Sequence, residues 1–329
     1  MDGPTVVEVA TFGIERWVAP DVRVMATDLK FPEGPVAQPD GSVLLVEIGR
    51  GTLTRVTNSG EVEVVAQCGG GPTGAAMGPD GHVYICNNGG AFEWHGLEKF
   101  RIGSGIPAGW TGGSIQRVDL ASGRVEILYA ECDGRPLRSP NDLVFDASGG
   151  FWFTDTGVRT RRLADRTGVF YARADGSSIA EVIFPLDSPN GVGLSPAGDR
   201  IYVSETWTGR LWWWPVERPG EVGRPNALIE HGGNLLLGLP GLQGFDSIAV
   251  DGEGWPCVGT LIEGAITAVS PDGMRVQQLI LPDPLVTNLC FGGPDLRTAF
   301  ITLGGTGQLL AVRWPRPGAR LQYQQLPPA

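Results

Sequence analysis

The sequence has little histidine and no paired cysteines, and these shortages argue against several common kinds of site. Three histidines occur in 329 residues. The five cysteines are scattered, odd in number and without zinc-site spacing, which predicts reduced thiols in a cytosolic protein. No G-x-S-x-G turn, phosphate-binding glycine loop or EF-hand loop is present. A serine hydrolase of the α/β type, a P-loop enzyme and an EF-hand protein are therefore disfavoured.

Long apolar runs and an excess of basic charge are also missing. No run approaches the roughly 18 apolar residues of a membrane span. The segment after Met1 is acidic and is interrupted by Pro4, which is unlike a signal peptide. The net charge of −11 disfavours nucleic acids and anionic membranes as partners. We therefore expect a cytoplasmic protein that binds a small molecule, and the sequence leaves its oligomeric state open.

Glycine and proline, in contrast, are abundant and mark the turns of a repeat. There are 50 glycines and 26 prolines, which indicates many tight turns. In six copies, which start roughly 40 to 70 residues apart, an oxygen-bearing side chain directly precedes an apolar β-run. We call these side chains the anchors: Glu33, Thr73, Asn141, Asn190, Asp246 and Asn288. In five copies a glycine follows eight residues later: Gly41, Gly81, Gly149, Gly198 and Gly254.

Each copy holds about four short β-runs, and this pattern predicts an all-β fold, a six-bladed β-propeller. The prediction places the whole chain, 1–329, in one domain. Part of 17–30 is expected to pair beside 298–325 and close the ring, because a closed ring leaves no free sheet edge.

Two stretches do not fit the repeat. The first, 89–113, is an insertion in the second blade that is rich in glycine and aromatic residues, and long insertions in compact domains are often functional. We expect it to form a lid or the wall of an apolar pocket, with Trp94, His95 and Trp110 in contact with substrate. The second, 232–242, is expected to cover the same end of the propeller.

The anchors carry the chemistry that the sequence predicts. In a propeller the innermost strand of each blade lines the central channel, so six equivalent anchors converge at one mouth. All six are oxygen donors, two of them carboxylates, which suits a hard divalent cation. Ca²⁺ is the first expectation on ligand type; Mg²⁺ and Mn²⁺ also fit, and Zn²⁺ or Fe²⁺ rank lower. An Asn or Asp before a strand can also be an ordinary turn residue, but the shared register favours a site.

The motifs around the anchors resemble the SMP-30/gluconolactonase/LRE-like family, which includes regucalcin and diisopropyl fluorophosphatase. The resemblance is carried by 31–35, 141–146, 149–155, 188–191 and Asp246, and it covers nearly the whole chain.

The resemblance implies a lactonase with one divalent ion, usually Ca²⁺ or Zn²⁺ and in some members Mn²⁺ or Fe²⁺. The ligands that it implies are Glu33, Asn141, Asn190 and Asp246. Asp246 would also be the base or nucleophile. Arg138 lies close to the family's substrate-binding arginine, although Pro140 makes the local spacing one residue longer.

These assignments predict hydrolysis of a lactone by metal polarisation of its carbonyl and attack by water or a carboxylate. Asp246 or Asp142 would take the proton from the attacking water. Thr73 and Asn288 share the anchor register and are assigned to substrate contact, and the sequence leaves open whether they touch the ion, an outer-shell water or neither. The alternatives are a phosphotriesterase-like hydrolase, a propeller that only binds, and a strictosidine-synthase-like propeller, and the two acidic anchors argue against the last two.

Overall fold

The chain folds as a six-bladed β-propeller, as the repeat predicted. The computed structural model describes residues 6–10, 13–97 and 100–325. No helix is found in these residues, and so none of them forms a helix long and apolar enough to cross a membrane.

Each blade is built on antiparallel strands, and its first strand lies innermost. Blade 1 comprises β4 (Pro32–Ala37), β5 (Val43–Glu47), β6 (Thr52–Val56) and β7 (Val62–Gln67). Blade 2 comprises β8 (Pro72–Met77), β9 (Val83–Asn87), β12 (Ser114–Val118) and β13 (Val125–Tyr129). Blade 3 comprises β16 (Pro140–Phe145), β17 (Gly150–Asp155), β18 (Thr167–Arg173) and β19 (Ile179–Leu186). A short hairpin, β14 (Glu131–Cys132) with β15 (Arg135–Pro136), precedes blade 3.

The remaining blades follow the same plan with additions at their outer edges. Blade 4 comprises β20 (Pro189–Leu194), β21 (Arg200–Glu205), β22 (Arg210–Arg218), β23 (Glu221–Val222) and β24 (Asn234–Gly238). Blade 5 comprises β25 (Gly244–Val250), β26 (Pro256–Leu261), β27 (Ala265–Val269) and β28 (Val276–Ile280). Blade 6 comprises β29 (Val286–Gly292), β30 (Thr298–Leu303) and β31 (Gln308–Arg313).

The start of the chain contributes strands to two blades. β3 (Val22–Ala26) pairs antiparallel with β31 and is the outer strand of blade 6, so the first and last parts of the propeller share one sheet. β2 (Ile14–Trp17) pairs parallel with β28, and β1 (Val6–Ala10) pairs with β2, so blade 5 has six strands. These pairings leave the outer edges of two blades covered by chain from the other end of the sequence.

The two stretches that do not fit the repeat, 89–113 and 232–242, differ in structure. The first contains a hairpin, β10 (Glu93–Leu97) with β11 (Phe100–Ser104), between β9 and β12. The expectation that 232–242 covers the mouth is wrong for most of that stretch, because β24 pairs with β22 as an outer strand of blade 4.

Six apolar clusters form the core of the described residues, one between each pair of neighbouring blades. Between blades 2 and 3, for example, Tyr84, Phe145 and Phe151 pack with ring centroids 5.0 to 5.8 Å apart. Between blades 3 and 4, Trp152 and Trp214 are fully buried. These clusters pack each blade against its neighbours. They therefore fix the positions of the inner strands, which line the channel.

The last part of the described chain, 315–325, crosses the underside of the channel, opposite the anchors. Tyr323 packs edge-on against Phe145 of blade 3, with centroids 5.6 Å apart, and Gln324 Nε2 donates to Phe291 O of blade 6 at 2.7 Å. Arg316 forms a buried ion pair with Asp251 of blade 5 and lies over the Trp255 ring at 4.1 Å. A cavity of about 90 Å³ lies between this segment and the anchors.

Replacing Arg316 with methionine is expected to lower the free energy of unfolding by about 3 kcal/mol, because Asp251 is fully buried and loses its cation. Urea unfolding of the purified variant would measure this change. Arg313→Met, which breaks an exposed ion pair with Asp295, is the matched control and should cost at most about 1 kcal/mol. Equal losses in the two variants would contradict this role for Arg316.

Candidate functional site

Each anchor lies at the second or third residue of an inner strand, at the mouth of the channel. A register shift interrupts the pairing of every inner strand at or next to its anchor, for example between Glu33 and Val36 and between Phe245 and Ile248. Such a bulge breaks the regular alternation of side chains and can re-aim one of them. The repeat therefore places six side chains at one level of one mouth.

Glycines after three anchors let the inner strands approach each other closely. A Cβ on Gly74 would lie 2.5 Å from Asn141 O, and one on Gly191 would lie 2.7 Å from Asp246 O. Gly34, which also has a positive φ of 51°, would bring its Cβ to 2.7 Å from Ala75 N. No side chain fits at these positions, so glycine there keeps the ring of anchors narrow.

Buried hydroxyls then tie each anchor segment to a neighbouring blade. Ser204 Oγ donates to Asp246 O at 2.6 Å, and Thr154 Oγ1 donates to Asn190 O. Thr287 Oγ1 donates to Pro32 O at 3.0 Å. Thr73, itself an anchor, has the same structural role, since its hydroxyl lies 2.9 Å from Pro140 O and 3.1 Å from Cys86 O.

Glu33 is held at the centre of a hydrogen-bonded group. Its carboxylate accepts from Asn288 Nδ2 at 2.7 Å, from Ser247 Oγ at 2.9 Å and from the Gly34 amide. Asn288 is thus a partner of Glu33 and not a free side chain at the mouth. Burial, followed by the charges of Asp246 and Asp142, raises the pKa of Glu33 well above its usual range.

Asn190 and Asp246 form the second part of the group. Asn190 Nδ2 donates to Thr206 Oγ1 at 3.0 Å, and Asn190 Oδ1 lies 3.5 Å from Ser247 Oγ. Burial raises the pKa of Asp246 from 3.8 to about 8, with a smaller contribution from the charge of Asp142, while the Asn190 side chain and the Ser247 amide act in the opposite direction. Burial therefore favours the protonated form of Asp246, and a positive charge close to the carboxyl group would favour the ionised form.

Asn141 supplies the most informative atom. Its side-chain oxygen Oδ1 is buried and has no hydrogen-bond partner. A buried polar atom without a partner is costly, and such atoms call for an explanation, for example an ion or a water. Two carboxylates and an amide oxygen with a free lone pair suit a divalent cation with oxygen ligands.

The side chains at the mouth can be compared with the ligands that different metal ions prefer. Among the described residues, no group of three or more His, Cys, Asp or Glu side chains is arranged to hold a metal ion. A cation at this mouth would therefore depend on the amide oxygens of Asn141 and Asn190 as well as on Glu33 and Asp246. The residues fit a hard cation and offer neither imidazole nor thiolate.

Asp142 lies at the upper end of the cavity under the mouth. Its carboxylate accepts from the amides of Leu143 at 2.9 Å, Val192 at 3.2 Å and Ile248 at 3.4 Å, and so it joins blades 3, 4 and 5. Burial raises the pKa of Asp142 to about 7, although the three amide donors act to lower it. Through these three bonds the Asp142 carboxylate holds the inner strands of blades 3, 4 and 5 together.

The predicted substrate contacts lie on the rim and differ in placement. Trp94 faces Phe31, with ring centroids 5.4 Å apart, and the exposed His95 faces the other side of the hairpin. Arg138 lies over the Trp110 ring at 4.6 Å, and its Nε donates to Asp165 at 2.8 Å. Trp110 Nε1 donates to Asn88 O at 2.8 Å, so this end of the insertion is fastened to blade 2.

Sequence reasoning missed a second repeated position, 14 or 15 residues after each of the first four anchors. The side chains there accept hydrogen bonds from backbone amides just before the anchors: Glu47 from Lys30, Asn87 from Gly71, Asp155 from Ser139 and Glu205 from Asp187, at 2.7 to 3.0 Å. They fix the loops that lead into the inner strands. The regular spacing in the sequence was the signal that could have revealed them.

The fold and this mouth define a class of protein, six-bladed propellers with a ring of oxygen donors at one end of the channel. Residues 31–305 match the family described as "SMP-30/Gluconolactonase/LRE-like region", and the chain belongs to that family.

Relatives and solved structures agree with this assignment. A gluconolactonase from Zymomonas mobilis is 25% identical over 87% of this chain and 79% of the relative. A lactonase, drp35, from Staphylococcus epidermidis is 25% identical over 84% of this chain and 75% of the relative.

Two solved structures show the same fold. A gluconolactonase from Xanthomonas campestris superposes with a TM-score of 0.70 at 20% identity, covering 95% of each chain. A calcium-binding regucalcin from Agrobacterium tumefaciens also gives a TM-score of 0.70, at 19% identity, covering 93% of this chain and 99% of that chain.

Proposed function

We propose that the protein is a metal-dependent lactonase that hydrolyses a cyclic ester with a bulky or apolar part. The observation that carries the proposal is the partnerless Asn141 Oδ1 at the same channel mouth as two buried carboxylates, Glu33 and Asp246, whose pKa values are raised. The relatives named gluconolactonase and lactonase support a lactone as the substrate.

Ca²⁺ is the proposed ion, held by Glu33, Asn141, Asn190 and Asp246. The oxygen-only donor set and the structural neighbour named as calcium-binding support it over Zn²⁺, Mn²⁺, Mg²⁺ or Fe²⁺. When bound, a divalent ion supplies a Lewis acid for the ester carbonyl and positive charge for the two carboxylates. The free, buried cysteines suit a cytoplasmic location.

Asp246 takes the proton in the proposed reaction. A water oxygen adds to the carbonyl carbon while one water proton passes to the Asp246 carboxylate. The ring C–O bond then breaks, and the proton passes from Asp246 to the departing alkoxide, which leaves a hydroxy acid. The hydrogen bond between Asn190 and Asp246 orients the carboxylate. Glu33 stays fixed by Asn288 and Ser247 throughout.

The aromatic side chains on the rim support the choice of substrate class. Phe92, Trp94 and Trp110 all lie on the insertion and are partly exposed. Apolar and aromatic walls with a few polar groups below them are typical of small-molecule sites. A sugar lactone, which is polar all round, would gain little from these rings.

A lactone panel with and without chelator tests the proposal. Purified protein should contain one divalent ion per chain and hydrolyse aromatic or macrocyclic lactones faster than sugar lactones, and chelation should remove at least about 99% of the activity. A phosphotriester in the same panel tests the alternative hydrolase. Full lactone hydrolysis by chelated Glu33→Ala protein would overturn metal dependence.

A further inference from the structure

Phe31, two residues before Glu33, has an unusual backbone conformation. Its φ is 58°, in the left-handed region, where a bulky non-glycine residue is a rare outlier. Strained residues of this kind persist only where the surrounding structure holds them, and they cluster at functional sites.

The equivalent position in blade 4 shows that the turn requires a left-handed backbone but does not require an aromatic side chain. Ser188, two residues before Asn190, has a φ of 51°. The turn before the anchor thus takes a left-handed residue in both blades. Glycine would satisfy this turn without strain. A phenylalanine at this position therefore has to be explained by what its ring contacts.

The structure makes room for that ring on two sides. A Cβ added to Gly304 would lie 2.9 Å from Phe31 Cζ, so glycine at 304 leaves the space that the ring occupies. On the other side, Trp94 lies with its centroid 5.4 Å away and its plane inclined by 56°. Phe92 meets Trp94 edge-on at 6.0 Å. We call Phe31, Phe92 and Trp94 the aromatic wall.

The aromatic wall links a metal-ligand loop to the insertion. Phe31 belongs to blade 1 and Trp94 to the hairpin of blade 2, and the two rings meet beside the mouth that holds Glu33. Both residues are partly exposed, so neither ring is fully used in the core. A substituent on a lactone at the mouth would meet these rings directly.

We propose that Phe31 is a specificity-determining residue, and that the aromatic wall binds an alkyl or aryl substituent on the lactone ring. This inference rests on the proposed lactonase function and names its substrate class: a lactone with an apolar substituent close to the ester. The left-handed backbone at Phe31 places the aromatic ring against this substituent, where glycine would leave a gap.

Phe31→Gly is the test, because it preserves the left-handed turn and removes only the ring. The substrates are a six-membered lactone and the same lactone with a phenyl substituent. The ratio of kcat/KM for the substituted over the plain lactone should fall about tenfold or more. The fall should come from KM of the substituted lactone, with kcat and the plain lactone nearly unchanged. The thermal unfolding midpoint should change little, since glycine relieves the strain.

Two further variants test the position of the Phe31 ring and the contribution of the turn itself. Gly304→Ala crowds the Phe31 ring without removing it and should lower the same ratio. Its Cβ would lie equally close, 2.9 Å, to Thr287 Cγ2, so kcat/KM of the plain lactone is measured with it to detect any effect through Thr287. Ser188→Gly makes the corresponding change at the blade 4 turn and should leave the ratio unchanged. A merely structural role for Phe31 would instead move stability and both substrates together.

Binding of the two corresponding lactams, which resist hydrolysis, gives an independent readout by calorimetry. An unchanged ratio of Kd values in Phe31→Gly protein would overturn the inference. A shifted ratio, together with no hydrolysis of any lactone by the wild type, would retain the aromatic wall and overturn the lactonase function alone.

Discussion

Asp246→Asn is expected to lower kcat/KM for every lactone substrate by about 10³-fold or more and to weaken binding of the divalent ion. Asparagine keeps the size of the side chain but cannot accept the proton, and general-base catalysis contributes typically about 10²- to 10⁴-fold. It also removes one of the two charges that would balance the ion. Steady-state kinetics and elemental analysis of the purified variant measure the two effects.

Asp187→Asn is the matched control, because Asp187 is a half-exposed carboxylate at the same end of the propeller and pairs with Arg159. Its activity and ion content should stay close to those of the wild type. Asp246→Asn protein with a full complement of ion and near-normal kinetics would refute the role of Asp246.

The chelated protein is expected to lose stability as the pH rises, and added Ca²⁺ should restore it. The pKa values of Asp142 and Asp246, about 7 and about 8 in the fold, lie above the value of about 3.9 for an unfolded Asp. The folded state therefore holds more protons between pH 4 and 8. Stability from these groups is complete below about pH 4 and is lost as the pH rises through about 7 to 8, by up to about 1.4 kcal/mol per pH unit and group.

Thermal unfolding of chelated protein from pH 5 to pH 9 measures this loss. At an ion concentration about 100 times the Kd, binding should restore about 2.7 kcal/mol. Asp142→Asn, which removes one buried carboxyl from under the mouth, should flatten the pH dependence. A chelated wild type whose midpoint stays level from pH 5 to pH 8 would show that these carboxyls do not titrate in this range.

The propeller fold could be predicted because every copy of the repeat carries the same local sequence features. A turn, an anchor and an apolar β-run recur in each copy, and these signals need no knowledge of distant contacts. The parallel pairing of β2 with β28 was not predictable, since it joins residues about 260 positions apart and leaves no periodic mark. The stretch that contains β24 was not recognised as a strand of blade 4, because a long connection separates it from β23.

The anchors could be picked from the sequence, but their individual roles could not. Thr73 and Asn288 share the register of Glu33, yet one hydroxyl bonds backbone carbonyls and the other side chain supports a carboxylate. Only the packed structure shows that Asn141 keeps a free oxygen. Phe31 lies in the motif 31–35, but its backbone strain and the space at Gly304 are properties of the fold.

The segment 315–325 lies across the end of the channel opposite the anchors, so the mouth that carries the anchors is the proposed way into the site. Under the proposed function, ion, lactone and hydroxy acid would all pass this one rim. A bound lactone would then lie between the ion and the solvent and slow exchange of the ion, so the enzyme would retain its ion better during turnover than at rest.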